Sequence, residues 1–175
     1  MNIKEYFNYD NPKFSPLRDP MRDVIAAYQN GARWLDTVQE KVYIETGLVH
    51  TSRKIHDLAH EMPKLFDIFG DMLHEQHLEI EYPATSELAE EIKTPTKAFE
   101  TVIAVLDEIN TALEKFHAAT DIADFRAMAL KTEELMLTNS RMRTQIFEMW
   151  NMWENGGSSH TSFDSWVRGL PAWNI

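Results

Sequence analysis

The chain of 175 residues contains no cysteine. That removes disulfides, thiolate metal sites, iron–sulfur clusters and cysteine nucleophiles, and leaves imidazole and carboxylate as the side chains able to hold a metal. No run approaches the about 18 apolar residues that a membrane helix needs. The opening MNIKEYFNYDNPKF has neither a basic leader with an apolar core nor a small-residue cleavage site, so a soluble cytoplasmic protein with no membrane partner is expected. Basic residues are in short supply: 17 Lys and Arg against 28 Asp and Glu leave a formal net charge of -11. Such a surface repels a phosphate backbone, and Lys13, Arg18 and Arg22 are too scattered to form a basic arm, so nucleic acid is not an expected partner. Nor does any alternation of apolar residues argue for a sheet.

What the chain does have is apolar residues at helical spacing. Asp19-Pro20 is a helix-start signal, a capping side chain followed by a residue whose fixed φ suits a first turn, and Met21, Val24, Tyr28, Leu35, Val38 and Val42 follow it at that spacing. This predicts a first long helix to about Thr46, ended by Gly47. Gly31 inside it loses about 1 kcal/mol relative to alanine, which points to a closely packed neighbour or to a plain weakness. A second helix is expected from Thr51 or Ser52 to about Ile80, with Ile55, Leu58, Met62, Leu65, Phe69 and Met72 on its buried stripe. Pro63 should kink or break it. Residues 81–94 read as a connector with a short helical possibility in SELAEEI, before the start signal Thr94-Pro95. A third helix, carrying Phe99, Val102, Leu106, Ile109, Leu113 and Phe116, should end near Ala119. A fourth, capped by Asp121 or Asp124, carries Phe125, Met128, Leu135, Met142, Ile146 and Trp150 to about Asn155.

The expected organisation is one domain: an N-terminal arm without regular structure (1–18), a helical body (19–155) and a tail (156–175). The tail holds Phe163, Trp166, Leu170 and Trp173, too much aromatic area to stay free, and should pack on the body or on a neighbouring subunit. Gly156-Gly157-Ser158-Ser159 reads as a turn or linker, since it lacks the lysine and following helix start of a phosphate loop. Four long helices with the longest connection between the second and third form the pattern of an all-α, ferritin-like four-helix bundle.

Chemistry concentrates in the second helix, in IHDLAHEMPKLFDIFGDMLHE from Ile55 to Glu75. Asp71 and Glu75 are one turn apart and share a face, while His56 lies 15 residues before Asp71, roughly 22 Å away along the axis. A metal bonds its ligands within about 2.0 to 2.6 Å. If these residues cooperate, His56 must therefore come from one subunit and the two carboxylates from an antiparallel partner, which predicts a two-fold dimer.

Ile55-His56-Asp57-Leu58, followed by Asp71-Met72-Leu73-His74-Glu75, resembles the second helix of the Dps proteins, the DNA-protecting ferritins of starved cells. The resemblance covers about 25 residues closely and the rest as four helices of suitable length. It implies an iron-binding protein that oxidises Fe(II) with peroxide or dioxygen, with a ferroxidase-type activity, a homo-oligomeric shell and a role against oxidative stress. Carried over, His56 of one chain and Asp71 and Glu75 of its mate would bind iron. The family has another histidine 12 residues before this one, where Ile44 stands here, with Tyr43, Glu45 and His50 nearest. The basic N-terminal extension of some members is also missing.

His60 enters through a second geometry. If the second and third helices ran antiparallel, His56 and His60 would approach Glu114, His117 and Asp121, and Glu114-Lys-Phe-His117 is a Glu-x-x-His pair of the kind that supplies di-iron ligands in bundle cores. A full-length crossover would make those helices parallel and break the cluster. The candidate metal ligands are thus His56, His60, Asp71 and Glu75. The alternative from another class is a non-catalytic helical interaction or structural module that has lost its metal, a reading favoured by Ile44 and Pro63.

Overall fold

The computed structural model describes residues 3–156 and 159–173. Its α-helices are α1 (Ile3–Tyr6), α2 (Arg18–Lys41), α3 (Val49–Glu75), α4 (Pro95–Ile122), α5 (Arg126–Asn155) and α6 (His160–Arg168). No strand occurs among the described residues, so the protein is all-α as the apolar periodicity implied. No helix among them is long and apolar enough to cross a membrane.

Several boundaries differ from expectation for identifiable reasons. The arm is not wholly irregular: α1 forms one turn, and a 3₁₀ turn, Ser15–Leu17, leads directly into α2. The end of α2 widens into a π-helical turn over Val42–Thr46 before Gly47, at φ 69°, takes the left-handed conformation that ends it. α3 begins at Val49, ahead of Thr51, and stops at Glu75 instead of about Ile80. It stops because His77 turns left-handed at φ 59° and the Leu78 N–H closes back onto the Leu73 carbonyl at 3.0 Å. Asp124 is likewise not the cap of α5. At φ 60° it is the left-handed residue that ends α4, with the Phe125 N–H donating to the Thr120 carbonyl at 2.9 Å. α5 has Phe125 at its N-cap and no capping side chain. Pro63 lies inside a continuous α3, because packing against neighbouring helices outweighs the about 3 kcal/mol it costs. SELAEEI is not helical; residues 78–93 carry no regular structure. The expected turn at 156–159 lies partly outside the described residues, at 157 and 158.

Cross-helix contacts set the directions. Asp36 meets His56 and the Ser52 hydroxyl donates to the Gln39 carbonyl, so α2 and α3 are antiparallel. Gly31 lies against Val105 and Ile109 while Asp23 pairs with Lys115, so α2 and α4 are antiparallel too. α5 returns along α4, with Arg143 on Asp107 and Glu133 on His117. It follows that α3 and α4 are parallel, and they face each other diagonally through side chains such as Phe69 and Phe116, whose ring centroids are 4.9 Å apart.

Parallel neighbours in sequence require a crossover as long as the body, and the connector supplies it. Near its start the Glu79 carbonyl accepts from Tyr9 and Glu81 pairs with Arg18. Midway, Arg33 donates to the Thr85 hydroxyl, Trp34 donates to the Ser86 carbonyl, and the Ser86 N–H donates to Asn30. At its end Glu90 receives Lys97 and Thr101 of α4. These anchors hold a segment without helix or strand along α2, with the Glu79 and Ser86 backbone groups among those partnered.

The core runs through the middle of the four long helices: Met21, Val24, Tyr28, Leu35, Ile55, Leu58, Met62, Phe69, Phe99, Leu106, Phe116 and Ile146 are all essentially inaccessible. Each fully buried side chain of this kind contributes about 1.5–3 kcal/mol. α6 and the tail close one end against α3. Phe163 and Trp173 are buried, and the Trp173 indole N–H donates to the Lys54 carbonyl at 2.9 Å. The Asp164 carboxylate accepts from the His50 and Thr51 N–H groups at 3.0 and 2.8 Å and from the Thr51 hydroxyl at 2.9 Å. It thereby caps α3, whose own N-cap residue, Leu48, has no side chain able to do so.

Candidate functional site

α3 buries the stripe Ile55, Leu58, Met62, Leu65, Phe69, Met72 and turns the opposite side outward. With 3.6 residues per turn, the outward side carries Arg53, Asp57, His60, Lys64, Asp67, Ile68, Asp71 and Glu75, all exposed, with His56 at its half-buried margin. The four sequence-derived ligands therefore share one helix and one solvent-facing side, yet separate into two groups. His56 and His60 lie near its start, and Asp71 and Glu75 lie near its end, roughly 22 Å further on from His56.

The first group is closely organised. Nε2 of His56 and Nε2 of His60 are 3.0 Å apart, with the two rings edge to face. On the far side of the His56 ring, Nδ1 faces Asp36 Oδ1 of α2 at 3.3 Å. Nδ1 is shielded from solvent and has no completed hydrogen bond, so the carboxylate lies close to it without the alignment of one. The lysine one turn beyond His60 is engaged elsewhere, since Lys64 Nζ donates to Glu61 at 2.9 Å. Asp71 and Glu75, by contrast, are exposed, and among the described residues no histidine of the same chain completes a cluster with them.

Asp36 was not among the residues singled out from sequence, although a signal for it exists. In an antiparallel hairpin turning near Thr46, residues equidistant from the turn face each other, and Asp36 and His56 each lie ten residues from Thr46. The intrachain cluster is overturned. Because α3 and α4 are parallel, His60 sits about 13 Å along the axis below the level at which Phe69 meets Phe116. Glu114 and His117 lie at the other end of the body: His117 Nε2 meets Glu133 of α5 at 2.9 Å, and Glu114 accepts from Asn110 at 2.6 Å. Among the described residues, no group of three or more histidine, aspartate or glutamate side chains is placed to hold a metal ion.

Burial perturbs two ionisable groups, Lys54 near the start of α3 and Glu108 midway along α4. The Lys54 ammonium, one turn below Leu58, is enclosed by the tail. It donates to the Pro171 carbonyl and lies 4.4 Å from the Trp173 ring centre, and burial lowers its pKa while Asp57 partly opposes this. Burial also raises the pKa of the Glu108 carboxyl on α4. Neither reaches the histidine pair. A cleft of about 690 Å³ opens where the arm meets the end of α3, lined by Phe7, Tyr9, Arg18, His74, His77 and Tyr82 among others. Arg18, its cation, is already paired with Glu81 at 2.9 Å.

Compared with known protein families and with curated proteins, the chain matches none.

Proposed function

We propose that the chain is a ferritin-like, Dps-like iron-binding protein of the cytoplasm, a four-helix bundle that takes up Fe(II) as substrate at sites completed between two copies and oxidises it. The observation that carries this reading is the outward side of α3, where His56 and the Asp71/Glu75 pair are accessible but too far apart to serve one ion in one chain. An antiparallel second copy laid along α3 would bring the imidazole of each chain to the carboxylates of the other. Exposed apolar residues near that side, Ile68 on α3 and Tyr43 and Ile44 on the π-helical turn, favour a protein partner there. The crossover that makes α3 and α4 parallel suits a bundle with one long connection. In the reaction, two Fe(II) each release one electron. The O–O bond of peroxide takes both and, with two protons, yields two waters. The oxidised iron would be held within a larger homo-oligomer.

The test is an anaerobic Fe(II) titration followed by peroxide. The expected result is an oxo-ferric absorption band that His56→Ala and Asp71→Ala each abolish, and absence of Fe(II) uptake refutes the reading. Light scattering on the purified protein checks the dimer separately, and a strict monomer is incompatible with a shared site.

A second reading, a helical interaction module without metal, is favoured by one observation: the position where the family carries its further histidine is Ile44, its side chain exposed and apolar. Elemental analysis after offering Fe(II) and Mn(II) in turn separates the two.

A further inference from the structure

We propose that His56 and His60 form, within one chain, a two-imidazole chelate for a borderline divalent cation of the Zn(II) or Cu(II) class, with Asp36 as the positioning residue behind it. This does not rest on the iron reading. It needs neither a second copy nor Asp71 and Glu75, and it uses Asp36, which that reading leaves idle.

The spacing of the two nitrogens is close to that of a loaded site. Two imidazole nitrogens bound to tetrahedral zinc at about 2.0–2.1 Å stand about 3.3 Å apart. The two Nε2 atoms here are 3.0 Å apart, so entry of the ion requires a widening of about 0.3 Å between side chains that border solvent. Spacing of four residues on a continuous helix holds both rings on one side. Imidazole pairs suit zinc, copper and nickel, with water filling the remaining positions.

Asp36 supplies what an isolated surface pair lacks. A metal-bound histidine ordinarily donates its other ring N–H to a carboxylate, which fixes the tautomer and raises ligand basicity. His56 Nδ1 has such an oxygen at 3.3 Å, no completed hydrogen bond and no access to water. Metallation at Nε2 places the proton on Nδ1, and a small ring rotation completes the bond to Asp36.

The full-length protein, free of iron, is titrated with Zn(II) against a colorimetric chelator. One Zn(II) per chain is expected, with affinity lowered at least tenfold by His56→Ala and by His60→Ala and unchanged in Asp71→Ala. Cu(II) should show nitrogen superhyperfine splitting from two imidazoles in the wild type and from one in His60→Ala. Asp36→Asn should weaken Zn(II) by about 10–100-fold, and Asp36→Glu should recover most of the loss. Absence of Zn(II) binding, an affinity left unchanged by His60→Ala, or binding lost in Asp71→Ala overturns the proposal. Zn(II) bound without any Fe(II) oxidation refutes the iron reading and leaves this one standing, while the reverse pattern does the opposite.

Discussion

Replacing Asp164 by alanine removes one carboxylate and strands three donors: two N–H groups of the first turn of α3 and the Thr51 hydroxyl, at 2.8 to 3.0 Å. Both Asp164 and Thr51 are buried, at 9% and 1% exposure, so water cannot readily replace the lost acceptor. A lost N-cap costs about 0.5–2 kcal/mol, and a hydrogen bond to a charged group contributes about 1.5–3 kcal/mol. The three bonds share one acceptor and do not add, so the expected loss is about 2–4 kcal/mol. For a chain of this size that lowers Tm by roughly 5–15 °C. Asp164→Asn keeps one acceptor oxygen but turns an amide toward the other donors, and should lose at least half as much. Urea unfolding followed by circular dichroism measures both variants, and hydrogen exchange at residues 49–54 should quicken in step. A change below about 0.5 kcal/mol for Asp164→Ala, of the size seen at unremarkable surface positions, would refute the claim that a side chain 113 residues away caps α3.

Other outcomes follow from the same packing. A Cβ at Gly31 would meet Ile109 Cδ1 and Val105 Cγ1 at 3.3 Å. Gly31→Ala should therefore be close to neutral in urea unfolding, about 1 kcal/mol of helix propensity being offset by small shifts of those methyl groups, whereas Gly31→Leu should destabilise by about 1–3 kcal/mol. Tolerance of Gly31→Leu would show that α2 and α4 are not in close contact there. Burial raises the pKa of Tyr9 and Tyr28 above 10, and for Tyr9 the nearby Glu81 and Glu79 add to this while Arg18 opposes it. The folded state keeps protons that the unfolded chain releases above pH 10, so this contribution to stability is whole below pH 10 and falls away as pH rises beyond it. Absorbance titration should show two of the five tyrosines ionising only as the fold opens, and five together below that point would contradict their burial.

The candidate site was partly legible in sequence. His56, His60, Asp71 and Glu75 stand out in the sequence as candidates because histidines and carboxylates on one helix are conspicuous, and their separation along the axis follows from helical rise alone. Asp36 was missed because, viewed singly, it is one of many acids on the polar side of α2. Its meaning lies in pairing across the hairpin, which depends on where the turn falls. The cluster of His60, Glu114 and His117 failed for a related reason: each Glu-x-x-His spacing is local, but bringing the segments together depends on chain direction, which spacing does not carry.

The sequence by itself determined that the protein is helical, where the four long helices lie to within a few residues, and which side of each is buried, because apolar residues three and four apart can share a core only on a helix. Only the tertiary structure decided the rest. The connector at 76–94 carries no periodic signal, and its course along α2, secured by side-chain bonds to Asn30, Arg33 and Trp34, is what makes α3 and α4 parallel. The left-handed residues His77 and Asp124 and the distant cap Asp164 likewise depend on partners that become neighbours only when the chain has folded, so no local pattern could announce them.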